Sequence, residues 1–114
     1  MLKIKWDVEE IISLINIYKK ASNGEIQDIN KELSVLSKVL NKRADLLGIH
    51  HDEKFRNLNG MKMMYQNVLY VATNGEQSLS AASQAIYAVF YMSQKSPDVF
   101  EMILAEFNDR YPSN

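Results

Sequence analysis

The chain has no cysteine among its 114 residues, which excludes disulfide bonds, thiolate metal ligands and a cysteine nucleophile. Glycine and proline are scarce, with four and two copies, so few positions interrupt regular secondary structure. No apolar run approaches the roughly 18 residues that a membrane-spanning helix needs, and the N-terminal residues form no apolar signal-peptide segment. These absences predict a cytoplasmic protein that does not enter a membrane.

The chain also lacks an excess of positive or of negative charge. Thirteen Lys and Arg residues face fourteen Asp and Glu residues, for a formal net charge of −1. This balance argues against a basic protein that coats nucleic acid and against an acidic mimic of DNA. Residues 1–62 carry a net +2 and residues 63–114 a net −3. Any surface that faces phosphate is therefore expected in the first half of the chain.

The apolar residues, by contrast, are abundant and regularly spaced. They and the aromatic residues make up 46% of the chain, a share typical of globular proteins. Apolar positions recur mostly at intervals of three and four, the period of one helical face. We therefore expect an all-α fold, a compact bundle of about five helices that forms a single domain over residues 1–114.

Capping and turn residues set the expected helix boundaries. Asp7 and Glu10 have the spacing of a capping box, and Ser22-Asn23-Gly24 ends the first helix. The predicted helices run over about residues 7–22, 26–43, 59–74 and 80–94, and a fifth opens at Ser96-Pro97-Asp98. The expected buried positions include Val8, Leu36, Val68, Ala85 and Phe90.

No arrangement of residues predicts catalysis. The run His50-His51-Asp52-Glu53 contains metal-ligand types, but neighbouring loop residues rarely converge on one ion, so a solvated loop is the preferred interpretation. No G-x-S-x-G elbow and no glycine-rich phosphate loop is present. We predict a non-enzymatic protein with no catalytic residue, no bound metal and no cofactor.

Methionines and aromatic residues have two interpretations. Met61, Met63 and Met64 are more typical of core packing, although adaptable Met side chains also suit a partner surface. The aromatic residues Tyr65, Tyr70, Tyr87, Phe90 and Tyr91 recur at helical spacing, which favours packing over base stacking. Small residues in the fourth helix would let another helix approach closely, so a homodimer stays open.

The segment from Phe55 to Gly60 is the best candidate binding element. Arg56 and Asn57 carry groups that can form bidentate hydrogen bonds with guanine and adenine edges, and a helix N-terminus beside them would add backbone amides for phosphate. The same residues also describe a plain capping turn.

Three stretches carry a resemblance to a known family. Residues 53–63, continuing through Asn67-Val68, contain Phe-Arg-Asn-x-Asn-Gly and resemble the central motif of that family. Residues 6–11 resemble its opening Trp-x-x-Asp/Glu-Glu helix, and residues 33–41 resemble its Leu-Ser-x-Leu-Leu-Asn helix. The family is a helical domain that commonly precedes HNH nuclease modules in bacterial restriction-type proteins.

Two departures limit what the resemblance implies. A family lysine aligns with Met64, with Lys62 as a neighbouring substitute, and the histidine and asparagine ligands of an HNH module do not follow Gly75. Nuclease activity is therefore not carried over. The resemblance implies a stand-alone relative of a domain that recognises DNA or positions a nuclease.

The resulting hypothesis is a helical module of a prokaryotic restriction or defence system that contacts double-stranded DNA. The expected contact residues are Arg56, Asn57, Asn59, Lys62, Asn67, Lys42 and Arg43. The alternative is a protein-interaction protein, such as an anti-defence inhibitor from a phage or mobile element, or an immunity factor, that binds a nuclease or another defence protein. An electropositive surface around the basic residues favours the first, and an exposed apolar patch favours the second.

Overall fold

A computed structural model of the protein describes residues 4–73 and 81–113, except for the side chains of residues 81–83. It contains five helices, α1 (Val8–Ser22), α2 (Ile29–Leu46), α3 (Leu58–Ala72), α4 (Ala81–Lys95) and α5 (Pro97–Arg110). They pack into one globule of 35 × 30 × 26 Å, and the described residues include no strand. The all-α prediction is confirmed. None of the described helices is long and apolar enough to cross a bilayer.

Helix α1 begins and ends as its sequence predicts. The Glu10 amide donates to Asp7 Oδ1 at 3.0 Å, and the Asp7 amide donates to Glu10 Oε1 at 3.1 Å, which completes the capping box. At the other end Gly24 adopts φ +75°, and the Glu25 amide reaches back to the Lys20 carbonyl at 2.9 Å. This is the left-handed helix stop for which glycine is suited.

Other boundaries differ from expectation. Helix α2 continues three residues past Arg43 to Leu46, and Gly48, with φ +72°, lies in the turn that follows. Helix α5 carries Pro97 in its first turn as predicted, but the Ser96 side chain makes no capping hydrogen bond. The expected third-helix end at Asn74 and fourth-helix start at Ser80 lie outside the described residues.

Helix α1 is the centre of the bundle, because it packs against each of the other four helices. Its apolar side chains are correspondingly among the most buried in the described chain. Met61 and Met64 are also buried, as the core interpretation predicts, whereas Met63 is 71% exposed. The expected burial of Val8 and Ala85 is wrong, since both are exposed. Val8 occupies the first turn of α1, and Ala85 faces away from the core side of α4.

Helices α2 and α5 flank α1 without packing against each other. They leave a groove of about 400 Å³ whose lining includes Ile17, Leu36 and Phe107. The core therefore reaches the surface along this groove, and Leu36 is buried but lies at the groove wall.

We predict that Leu36→Ala lowers the free energy of unfolding by about 2–3 kcal/mol, in the lower half of the range for buried leucines. The reason is that the space it leaves opens to the groove, so water can enter it. Chemical denaturation measures the loss. Leu46→Ala on the same helix, where the side chain is 65% exposed, is the control and should change stability by less than about 0.5 kcal/mol. Equal losses for the two variants would contradict this assignment of the α2 faces.

Candidate functional site

The structure divides the seven predicted contact residues into two groups. The guanidinium groups of Arg43 and Arg56 are buried within the chain, with side chains 10% and 7% exposed. The others are exposed or half-buried: Lys42, Asn57, Asn59, Lys62 and Asn67. The two arginines among the predicted contact residues are thus the least accessible of the seven.

Arg56 forms a buried, bidentate ion pair with Glu10. Its Nε donates to Glu10 Oε2 at 2.7 Å and one terminal nitrogen donates to Oε1 at 2.9 Å. The remaining donors reach the carbonyls of Ile4 and Lys5 at 3.3 and 3.1 Å. Glu10 is only 2% exposed. Because a buried charge is costly unless fully paired, this set of contacts is what makes burial of Arg56 tolerable.

Two aromatic rings enclose the same guanidinium group. The Arg56 Cζ atom lies 4.3 Å from the centre of the Trp6 ring and 4.4 Å from that of Phe55. Cation–π attraction adds to the ion pair at such distances. We call the group Trp6, Glu10, Phe55 and Arg56 the Arg56 clamp.

The backbone of the clamp is fixed by α2. Ser37 donates its hydroxyl to the Arg56 carbonyl at 2.6 Å, and the Asn41 side chain donates to the Phe55 carbonyl at 3.0 Å. Arg56 itself adopts φ +48°, a left-handed conformation that costs a non-glycine residue free energy. These contacts to α1 and α2 hold it there.

Arg43 makes a second, partly buried network with the start of α1. One terminal nitrogen donates to Asp7 Oδ2 and to Glu9 Oε1, both at 2.9 Å. Desolvation opposes the charge, but the hydrogen bonds and charges of Asp7 and Glu9 outweigh it and raise the pKa of Arg43 above its ordinary value. Its Nε is buried and has no hydrogen-bond partner among the residues that the structure describes, and the Tyr111 ring centre lies 5.7 Å from its Cζ.

The asparagines serve local roles in helix α3. Asn57 is the N-cap, and its Oδ1 accepts the Gly60 amide at 2.9 Å. A Cβ at position 60 would stand 3.3 Å from that oxygen, which is a reason for the glycine. Asn67 makes a 3.6 Å contact from its side-chain nitrogen to the Met64 sulfur. The Phe55 to Gly60 segment is thus the capping turn that the sequence also allowed.

The segment before the clamp holds a histidine in an unusual environment. His51 Nε2 lies 2.8 Å from Asp45 Oδ1, and its Nδ1 lies 2.9 Å from the Asp52 carbonyl oxygen. Both partners can only accept hydrogen bonds, so both ring nitrogens must carry a proton to satisfy them. The backbone hydrogen bond to Asp52 and the one to Asp45 raise the pKa of His51 above its ordinary value. The expectation of a wholly solvated loop is wrong at this residue, although no group of three or more possible metal ligands occurs in the described chain.

One surface was missed by the sequence prediction. Met63 on α3 and Tyr87 and Tyr91 on α4 are each more than half exposed, and the two tyrosine rings stack with centroids 6.4 Å apart. Helices α3 and α4 pack against each other. We use the name α3–α4 face for exposed, uncharged residues of these two helices: Met63, Gln66, Gln84, Ala85, Tyr87, Ala88 and Tyr91. The exposed Lys62 and Lys95 border this set.

A signal for this face is present in the sequence. From Met63 to Gln94 the only charged residue is Glu76, in a chain that has 27 Lys, Arg, Asp and Glu residues. Exposed helix sides normally carry charge, as those of α2 and α5 do here. The expectation that Tyr87 and Tyr91 are packing residues is wrong, because helical spacing alone does not say which side of an apolar helix is covered.

Comparison of the chain with known protein families, curated proteins and solved structures finds no match. The resemblance to the HNH-associated helical domain therefore stays a prediction. Residues from two of the three resembling stretches contact each other in the structure: Trp6 and Glu10 lie in residues 6–11, and Phe55 and Arg56 lie in residues 53–63.

We predict that Arg56→Ala lowers the free energy of unfolding by about 3–5 kcal/mol, because Glu10 would be left buried and unpaired. Glu10→Ala should have a similar effect, and the double variant should lose far less than the sum, which a double-mutant cycle by chemical denaturation measures. Arg56→Lys tests the bidentate geometry and should not restore full stability. Additive losses would show that the two residues do not depend on each other.

We also predict that the contribution of His51 to stability is lost as pH rises through its raised folded-state pKa. A raised pKa in the folded state means that His51 stabilises the fold fully below its unfolded pKa of about 6.5 and loses that contribution as pH rises through the folded value. Thermal melting between pH 5.5 and 8.5 measures the trend, and NMR titration gives the pKa of His51. His51→Gln should remove this part of the pH dependence, whereas a His50→Gln control should retain it.

Proposed function

We propose that the chain is a non-catalytic protein-interaction module that associates with another polypeptide chain, of the same or a different protein, through the α3–α4 face. The observation that carries the proposal is the exposure of Met63, Tyr87 and Tyr91 on two packed helices that are almost free of charge. Protein interfaces are depleted in Lys, Glu and Asp and enriched in Tyr and Met, and buried aromatic anchors dominate their binding energy.

The resemblance to the HNH-associated helical domain indicates the kind of system in which the module acts. It implies a prokaryotic restriction or defence system, in which a nuclease or another defence protein is a candidate partner. The burial of Arg43 and Arg56 in ion pairs favours this proposal over DNA recognition, because neither guanidinium group is free to read a base edge.

Site-specific photocross-linking in cells that make the protein tests the proposal. A benzophenone amino acid replaces Tyr87 on the α3–α4 face in one variant and Leu46, which is 65% exposed at the end of α2, in a control. We expect protein adducts from position 87, not from position 46, and their loss when Ala88→Glu places a charge on the face. Mass spectrometry identifies the partner.

The adduct results can be interpreted only if the Ala88→Glu variant folds. Circular dichroism should show that Ala88→Glu folds like the wild type, because Ala88 is exposed. Equal adduct yields from positions 87 and 46, no adduct from position 87, or adducts that survive Ala88→Glu would each overturn the proposal.

DNA contact is a second candidate, favoured by a different observation. Lys42 and Lys62 are exposed, and neither forms an ion pair in the described part of the chain. They could contact phosphate without any help from the buried arginines, and such binding would weaken with added salt.

Fluorescence anisotropy with duplex DNA over a salt series tests this candidate. Replacing both Lys42 and Lys62 by Ala should lower the slope of log affinity against log salt by about one per lysine. Lys20→Ala/Lys31→Ala changes the net charge equally at two other exposed lysines and serves as the control. Equal effects of the two pairs, or no salt-sensitive binding by the wild type, would contradict DNA contact at this position.

A further inference from the structure

We propose that the α3–α4 face is occupied by a second copy of this chain, related by a two-fold axis near Ala88 with the two α4 helices antiparallel. This inference rests on the proposed function, because it names the partner of the same face. A different protein at this face is the competing outcome.

The absence of charge favours a second copy. In a two-fold interface both copies use the same patch, and side chains near the axis meet their own copies, so charge of one sign near the axis would repel itself. The described residues between Met63 and Gln94 contain no charged side chain, and the chain as a whole has a net charge of only −1. By contrast, α5 exposes Asp98, Glu101, Glu106 and Asp109.

The same feature argues against selection of a charged partner. Between Met63 and Gln94 the described residues offer no ion-pair donor or acceptor, and the nearest charges on these helices are the exposed ammonium groups of Lys62 and Lys95, the latter 5.7 Å from the Tyr91 ring centre. Its complement must itself be uncharged and rich in aromatic or small side chains. The α3–α4 face has these properties itself. The same face on a second copy is therefore a complement of equal size.

The shape of α4 sets the orientation. Ala88 is the central residue of the 15-residue helix, and Ala88 and Ala85 are exposed, so two helices can approach closely there, with Tyr87 and Tyr91 beside the contact. In an antiparallel pair the two Lys95 ammonium groups lie at opposite ends, roughly 20 Å apart at a rise of 1.5 Å per residue. A parallel pair would bring them together.

The available area indicates a weak, concentration-dependent dimer. Tyr87 and Tyr91 are 52% and 51% exposed, so together they offer roughly 200 Å² per copy. Specific interfaces bury at least about 1,200 Å² in total, so the tyrosines of both copies supply roughly a third of that area and the exposed parts of Met63 and the neighbouring alanines and glutamines have to supply the rest. A dissociation constant on the order of micromolar is therefore expected.

The test uses the purified full chain in two measurements. Sedimentation over roughly 1–500 µM should show the mass rising from 13.1 kDa toward twice that value. Ala88→Glu should weaken association at least tenfold, and Ala105→Glu, an exposed position on α5, should not. Circular dichroism confirms that each variant folds.

Disulfide trapping then tests the orientation, because the chain has no native cysteine. Ala88→Cys should form a covalent dimer at least tenfold faster than Gln94→Cys. An antiparallel pair keeps the two copies of position 94 roughly 18 Å apart, well beyond the reach of a disulfide. Both positions are exposed, so accessibility does not explain a difference.

The results separate this inference from the proposed function. A wild type that stays monomeric, or a dimer that Ala88→Cys does not trap faster than Gln94→Cys, overturns the second copy as occupant. In that case adducts between the benzophenone at position 87 and a different protein would still support the proposed interaction module. Adducts from position 87 that contain only this chain, together with a trapped Ala88→Cys dimer, would support both proposals.

Discussion

The ion pair between Arg56 and Glu10 is the contact on which the rest of the arrangement depends. It joins residues 46 positions apart and links α1 to the turn that starts α3. A lone guanidinium group or carboxylate in this position would be strongly destabilising, because burial removes its hydration. Bidentate pairing, two backbone carbonyls and two aromatic rings together offset that cost. The left-handed backbone at Arg56 then becomes tolerable, and Asn57 is placed to cap α3.

The contacts within the Arg56 clamp limit what the family resemblance implies. The motif residues Trp6, Glu10, Phe55 and Arg56 contact one another, and Asn57 and Gly60 build the cap beside them. Residues of this kind specify a fold, since their partners lie within the chain. A resemblance that rests on them therefore supports a shared architecture more strongly than a shared ligand. The proposed partner surface has to be sought among exposed residues instead.

The elements that the sequence predicted well are those set by neighbours in the chain. The capping box of Asp7 and Glu10, the stop at Gly24 and the apolar spacing of α1 depend on residues within a few positions of one another. Burial of Arg56 was not predictable in this way, because its partner lies in another helix and an arginine in a polar turn is usually exposed. The exposed side of α4 was missed for the opposite reason. A helix that is apolar nearly all round looks buried, and only its packing shows that Tyr87 and Tyr91 face solvent.

The described ion pairs are concentrated in the first half of the chain. Every described ion pair joins residues between Asp7 and Arg56, apart from a longer 3.9 Å contact between Arg110 and Glu9. Helix α4 is held to the bundle instead by apolar side chains such as Ile86 and Val89. Apolar packing lacks direction, so it leaves the outer side of α4 free to vary without disturbing the clamp. A partner that covers Tyr87 and Tyr91 would bind the folded state alone and would thereby stabilise the α3–α4 pair by mass action. Folding specificity and the proposed association thus involve separate sets of residues, which is why substitutions on the α3–α4 face can test binding while the fold persists.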